Sequence, residues 1–304
     1  MAIDGILNID KPLGLTSFQV VARVKRLTGL RRVGHGGALD PLATGVLPVC
    51  LGQGTRVAEF FMLATKTYRA QIELGITTDT YDAAGKVLQR INPSDINRQL
   101  LEQGLAQFQG WLEQIPPMYS ALRHQGKRLY ELARAGQEVA RQPRKIHISR
   151  MELVGCQLPL FTIEVDCSKG TYIRSLAHDL GQTLGCGAHL KNLIRLRCGT
   201  FNLQDAISLT SFEELVRQGE WLRILHPIDA VLSLLKAVIV DETGQHDIEQ
   251  GRSLALEIGL DQELCRAYSQ DGHFLALLHL QKESGLWHPD KVFVRPAERG
   301  NLTE

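Results

Sequence analysis

The chain has 304 residues, 44% of them hydrophobic and 22% charged, with a formal net charge of +1. This is ordinary soluble globular composition, long enough for one large domain and a smaller one, and no run approaches the roughly 20 apolar residues that span a bilayer. Six cysteines (50, 156, 167, 186, 198 and 265) are scattered without close pairs, so neither a zinc site nor a disulfide framework is expected and a reducing cytoplasm fits best.

The start, Met1-Ala2-Ile3-Asp4-Gly5-Ile6, lacks the basic-then-apolar layout of a signal peptide. Ile6-Leu7-Asn8-Ile9 is predicted as a short strand and Lys11-Pro12-Leu13-Gly14 as a turn. Thr16 or Ser17 caps a helix with Val20, Val21, Val24 and Leu27 as its apolar stripe. The segment Gly34 to Pro48 follows, with four glycines and two prolines but an apolar character that mobile surface loops lack. Irregular backbone folded inward is the better reading, and Asp40 is its only carboxylate. Asp before Pro is a common turn starter, yet a carboxylate in an apolar setting is costly unless paired or used.

Residues 67–74 alternate strictly, with Tyr68, Ala70, Ile72 and Leu74 on the inward face. Ser94 is expected to cap a helix carrying Ile96, Leu100, Leu105 and Phe108, and 123–150 reads as an extended basic excursion. Phe161, Ile163, Val165 and Cys167 mark another strand, and a helix with Ile173, Leu176, Ala177, Leu180 and Leu184 buried follows and stops at Gly185. Arg174 lies in its first turn, where the helix dipole disfavours a cation, so it needs a carboxylate partner; Asp40 is a candidate. From about Ala237 short apolar runs (Val238–Val240, Ser253–Leu256, Phe274–Leu280, Lys291–Val294) predict a small β-rich domain.

Charge is unevenly spread. Residues 1–235 carry 27 Lys/Arg against 21 Asp/Glu (+6), and residues 236–304 carry 7 against 12 (−5). Five cations lie between Arg23 and Arg32 with no acid, and eight between Arg123 and Arg150 against Glu131 and Glu138. Two basic patches on a near-neutral chain point to a local polyanion contact, although a solvated helix face explains either one alone. There is no phosphate-binding loop, no dinucleotide fingerprint after a strand, no His-Glu-x-x-His and no Gly-x-Ser-x-Gly. Carboxylate, tyrosine, histidine and arginine chemistry remains, suited to a reaction without redox or energy input.

Five blocks taken in order resemble the TruB family, the tRNA pseudouridine-55 synthases. They are Asn8 to Ser17; the Asp40 loop; Lys66-Thr67-Tyr68-Arg69-Ala70 with Thr78 to Gly85; Pro116 to Leu122 through Tyr130 to Arg134; and Cys167 to Arg174. Gly36 stands where that family usually has Thr or Ser, and Arg123 where it has Lys. The resemblance implies an α+β fold: a catalytic domain over 1–236 on a mixed, largely antiparallel sheet with flanking helices and an RNA-binding insertion at about 119–150, then a PUA-like β-barrel over 237–304. It implies isomerisation of a flipped-out uridine in the T arm of tRNA, with no cofactor or metal. Asp40 attacks the sugar or stabilises positive character there. Arg174 keeps Asp40 ionised and oriented, and Tyr68 stacks on the base or removes a proton. Tyr172 and Leu193 wall the pocket, Lys11 buttresses it, and His35 fills the vacated space or stacks on flipped nucleotides. Arg123, Lys127, Arg128, Arg141, Arg144 and Lys145 grip phosphates. A cytoplasmic monomer with no obligatory protein partner and an added tRNA-folding role fit the same picture.

Competing readings are a tRNA-binding folding chaperone, which has no need of Asp40, Tyr68 and Arg174 together, and an RNA-guided synthase of the same superfamily, which the small final domain and lack of basic tails disfavour. A glycosidase wants a second carboxylate framing the site with Asp40, and none stands out, although Asp82 stays open.

Overall fold

The structure, a computed structural model, describes residues 3–258 and 262–293. In chain order the first elements are β1 (Gly5–Lys11), α1 (Ser17–Thr28), β2 (Val33–His35), β3 (Ala43–Leu51), α2 (Ala58–Leu63), β4 (Lys66–Leu74), β5 (Ile76–Thr78) and β6 (Val87–Arg90). Next come α3 (Arg98–Ala106), β7 (Gly110–Gln114), β8 (Arg123–His124), β9 (Lys127–Arg128), α4 (Leu129–Arg134), β10 (Arg144–Gln157), β11 (Leu160–Cys167) and α5 (Ile173–Thr183). The last are β12 (Ala188–Cys198), β13 (Phe201–Asn202), β14 (Ile207–Ser208), α6 (Leu209–Gln218), β15 (Lys236–Ile239), α7 (Glu242–Glu249), β16 (Leu264–Tyr268), β17 (Phe274–Gln281) and β18 (Leu286–Val292).

A ten-stranded sheet organises the chain up to β14, in the order β14-β1-β3-β12-β4-β11-β10-β7, with β2 added to β3 and β13 to β12. Only β1–β14 and β12–β3 pair in parallel; the other neighbours are antiparallel, as the sequence led us to expect. β12 reaches the centre of the sheet late in the chain and separates β3 from β4. Its register sets Arg195 opposite Gly45 on one side and Tyr68 on the other. Gly45 has φ +99°, and a Cβ there would lie 2.3 Å from the Arg195 carbonyl oxygen, so only glycine lets β3 approach this closely. The alternation of β4 buries Tyr68, Ala70, Ile72 and Leu74 against α3 and α5, while Val20, Val21 and Val24 of α1 pack with α6 on β1 and β3.

Three local expectations need correction. Asn97, not Ser94, caps α3, its side chain accepting the Leu100 N–H at 3.0 Å; Leu101 and Leu105 are buried and Leu100 faces out. The basic segment 123–150 is not an extended excursion. It forms the β8–β9 hairpin and α4 over a small core of Met118, Leu129 and Leu132, then returns to the main sheet as β10. The third concerns the chain beyond β15, which includes a helix, α7, that the apolar runs did not signal, capped by Asp241. Its sheet has four strands in the order β15-β16-β17-β18, and closure into a barrel is not among the pairings of the described residues. Ser253–Leu256 contributes one isolated bridge, Leu254 to Trp287, and Val294 lies outside the described residues. This sheet docks on α2: Phe61 and Val57 share a core with Leu277 and Phe293, and Lys291 pairs with Glu59 at 2.6 Å.

Candidate active site

The Asp40 loop is held by hydrogen bonds to its backbone from residues distant in sequence. Thr16 caps α1, and the next residue, Ser17, is buried under the loop. The Ser17 hydroxyl accepts the Leu39 N–H at 2.8 Å and donates to the Leu39 carbonyl at 3.2 Å. On the other side of Asp40 the Gly14 N–H donates to the Pro41 carbonyl at 2.8 Å. Lys11, fully buried, donates to the carbonyls of Pro12 and Leu15 at 2.9 and 2.6 Å and so fixes the turn that carries Gly14. Burial pulls its pKa down to about 8, with Asp40 and Asp10 acting in the opposite sense. From β12, the buried Arg195 donates to the carbonyls of Val46, Gly37 and Ala38 at 2.6, 3.1 and 3.5 Å.

The loop ends in a pocket of about 260 Å³ whose lining includes Asp40, Tyr68, Tyr172, Arg174, Leu193 and Arg195. Arg174 is 4% exposed, and its Nε lies 2.9 Å from Asp40 Oδ2 and 3.7 Å from Asp82 Oδ2. The Nε–H is not aimed at Asp40, so the contact is an ion pair at hydrogen-bonding distance. The rest of the guanidinium donates to the carbonyls of Thr80 at 3.2 Å and Tyr119 at 2.9 Å. The first-turn cation therefore has the acid it needed, and Asp82 as a second. Asp82 is buried and already accepts the Thr80 hydroxyl at 2.6 Å and the Ala84 N–H at 3.1 Å. Asp40 is the more open carboxylate, its side chain 43% exposed at the floor of the pocket. Protein packed around it raises its pKa above the ordinary 3.8; Arg174 opposes that rise and Asp82 adds to it.

Tyr68 points into the pocket from β4, and burial pushes its phenol up to about 12 despite the Arg195 charge beside it. Almost no phenolate exists at neutral pH, so the proton-removing role expected of Tyr68 is not favoured by its surroundings. Tyr172 precedes α5, and Gln114 of β7 holds its backbone, accepting its N–H at 2.8 Å and donating to its carbonyl at 3.0 Å. Leu193 sits between Ala43 and Ala70 on neighbouring strands. Two expected residues stand outside the lining. Lys11 lies behind the loop as a buttress, and His35 is half-buried on β2, its Nδ1 accepting the Gly37 N–H at 3.3 Å and its pKa lowered by burial and Arg195.

Of the basic residues, Arg123, Lys127, Arg128, Arg144 and Lys145 are exposed. Arg141 is not free to grip a phosphate: it turns inward and donates to the Pro116 carbonyl at 3.1 Å, its side chain 15% exposed. In the first cluster Arg23 is paired with Glu213, while Lys25, Arg26, Arg31 and Arg32 face solvent. Among the described residues no group of His, Cys, Asp and Glu could hold a metal ion, and no helix is long and apolar enough to cross a membrane. All six cysteines are free thiols.

Family models for the TruB family pseudouridylate synthase N-terminal domain and the tRNA pseudouridylate synthase B C-terminal domain match residues 25–173 and 174–233. The tRNA pseudouridine synthase B of Dehalococcoides mccartyi is 44% identical over 297 residues, covering 98% of this chain and 99% of that protein. The chain belongs to the TruB family of pseudouridylate synthases. It is thus an isomerase that converts uridine to pseudouridine in tRNA. A second TruB relative, the tRNA pseudouridine synthase B of Clostridium acetobutylicum, is 42% identical over 285 residues, 92% of this chain and 97% of that one. The fold matches the crystal structure of a Cbf5-Nop10-Gar1 complex with a TM-score of 0.75 at 27% identity, over 95% of this chain and 85% of that chain. The TruB models meet at the start of α5 and end before β15, so the four-stranded sheet lies beyond both.

Proposed function

We propose that this chain isomerises the uridine at position 55, in the T arm of tRNA, acting as a monomer without a cofactor. The observation that carries the reading is the Asp40–Arg174 ion pair at the floor of the pocket. The target nucleotide flips into the pocket, at a cost of a few kcal/mol for unstacking. Asp40 attacks the sugar carbon as the C–N bond breaks, or stabilises the positive character that forms there; it needs its negative charge for either. Arg174 supplies that charge with a fixed partner, and Asp82 with the carbonyls of Thr80 and Tyr119 keeps Arg174 from following solvent. Tyr68, neutral, packs against the freed base while it turns, with Tyr172 and Leu193 as the other walls. His35, beside the loop, occupies space the nucleotide leaves. The exposed cations of β8, β9 and β10 meet the arm's phosphates.

The test is Asp40→Asn assayed on an unmodified T-arm stem-loop with no cofactor. Binding is expected to persist while pseudouridine formation is lost; retained turnover refutes the role of Asp40. The same variant refolding misfolded tRNA would support an added tRNA-folding role, which needs only the basic surfaces.

A further inference from the structure

One aromatic cluster outside the pocket, around Trp111, has no role yet in the reaction proposed above. Trp111 lies on β7, at the edge of the ten-stranded sheet, and is 65% exposed. The chain's other two tryptophans, Trp221 and Trp287, are buried. Across the register from Trp111 stands His147 of β10, the two ring centroids 4.8 Å apart. The Lys145 ammonium lies 4.8 Å from the indole centroid, whereas Arg144, paired with Gln114, belongs to the opposite face. Glu113, opposite Lys145, is the one acid of β7.

The cluster is tied to the pocket twice. β7 alternates, so the strand that turns Trp111 outward turns Gln114 inward to hold Tyr172, about 10 Å further along. The His147 N–H donates to the Ser168 hydroxyl at 2.9 Å, and its carbonyl accepts the Ser168 N–H at 2.8 Å. Ser168 and Gly170 line the pocket, and Lys169 between them is exposed.

An open indole with an ammonium held against it fits a ligand that offers flat π-faces and negative charge together, which is RNA rather than an apolar protein surface. We propose that Trp111 is a second nucleotide subsite: its indole stacks on an unpaired base of the tRNA near the flipped uridine, while Lys145 meets an adjoining phosphate. The subsite rests on the reading of the substrate given above and adds a holding point outside the reacting nucleotide.

Tryptophan emission tests it, because Trp111 is the one tryptophan a bound base can reach. Titration with unmodified T-arm stem-loop and with full-length tRNA is expected to quench the wild-type protein, and Trp111→Phe is expected to lose the quench. Trp111→Ala should raise KM about fivefold or more, the low end of what a stacked base contributes. Trp111→Phe should restore most of that loss, since its ring still stacks, and Lys145→Gln should flatten the salt dependence of binding. Absence of quenching at RNA concentrations that saturate filter binding, or a Trp111→Ala KM within twofold of wild type, overturns the subsite. A wild-type protein that forms no pseudouridine in these RNAs refutes the functional reading instead, so the two failures are distinguishable.

Discussion

Burial lifts the Asp40 carboxyl above its ordinary value, and Arg174 opposes that shift without cancelling it. The acidic limb of kcat/KM is therefore expected above the ordinary aspartate value of 3.8, and Arg174→Gln should move it further up; a limb at an unshifted carboxylate value in both proteins would contradict this. Stability follows the same raised pKa. The folded state holds the Asp40 proton more tightly than the unfolded chain, so this group's contribution is most favourable below the unfolded pKa and declines as pH rises through the folded one. Asp40→Asn should accordingly raise Tm at pH 7 and lose that advantage in acid, measured by thermal unfolding across pH. Gly36 invites a different test. A Cβ there would sit 2.4 Å from Phe61 Cβ, so the departure from the usual Thr or Ser is accounted for by the close approach of α2. Gly36→Ala should destabilise by about 1–3 kcal/mol through overpacking, read as a lower Tm. Asp40 and Arg174 were legible in the sequence because a charge in an unsuitable place demands a partner. Arg195 and Ser17 were not, because both spend their hydrogen bonds on backbone groups, which no side-chain pattern reports.

At the scale of elements, the Asp40 loop owes its shape to α1 and β12 rather than to its own residues. Ser17→Ala would leave the buried Leu39 N–H without a partner, at about 1–3 kcal/mol. It should lower kcat more than KM, since the carboxylate is displaced while the RNA surface is intact; a pure KM effect would argue against the clasp. Strands with strict alternation, β4 and β11, were readable from period alone. The position of β12 between β3 and β4 was not, since pairing across so long a separation leaves no local trace. The cap of α3 was misplaced because Ser94 and Asn97 are equally good caps, and only packing of Leu101 and Leu105 decides between them.

For the whole molecule, the exposed cations gather on the insertion and on α1, while the four-stranded sheet docks on α2 through an apolar core. Neutralising Arg123, Lys127, Arg128 and Arg144 together should weaken tRNA binding and reduce the salt slope by about 0.7–0.9 for each phosphate that is no longer neutralised. Arg141→Gln should behave differently: the slope stays, and the insertion loosens because the Pro116 carbonyl loses its donor. Filter binding between low and moderate salt separates the two, and a slope reduced equally by Arg141→Gln would show that Arg141 does reach phosphate.

The late arrival of β12 also bears on how this protein is made. At about 5–20 residues per second, several seconds pass between the emergence of Leu74 and that of Ala188. Throughout that interval the ribosome-bound chain has β3 and β4 complete, each with an inner edge waiting for a strand not yet translated. Unpaired apolar edges are templates for wrong partners. A message that slows between these codons would prolong the hazard, and nascent chains halted just before β12 should be the ones that trigger-type holdases retain.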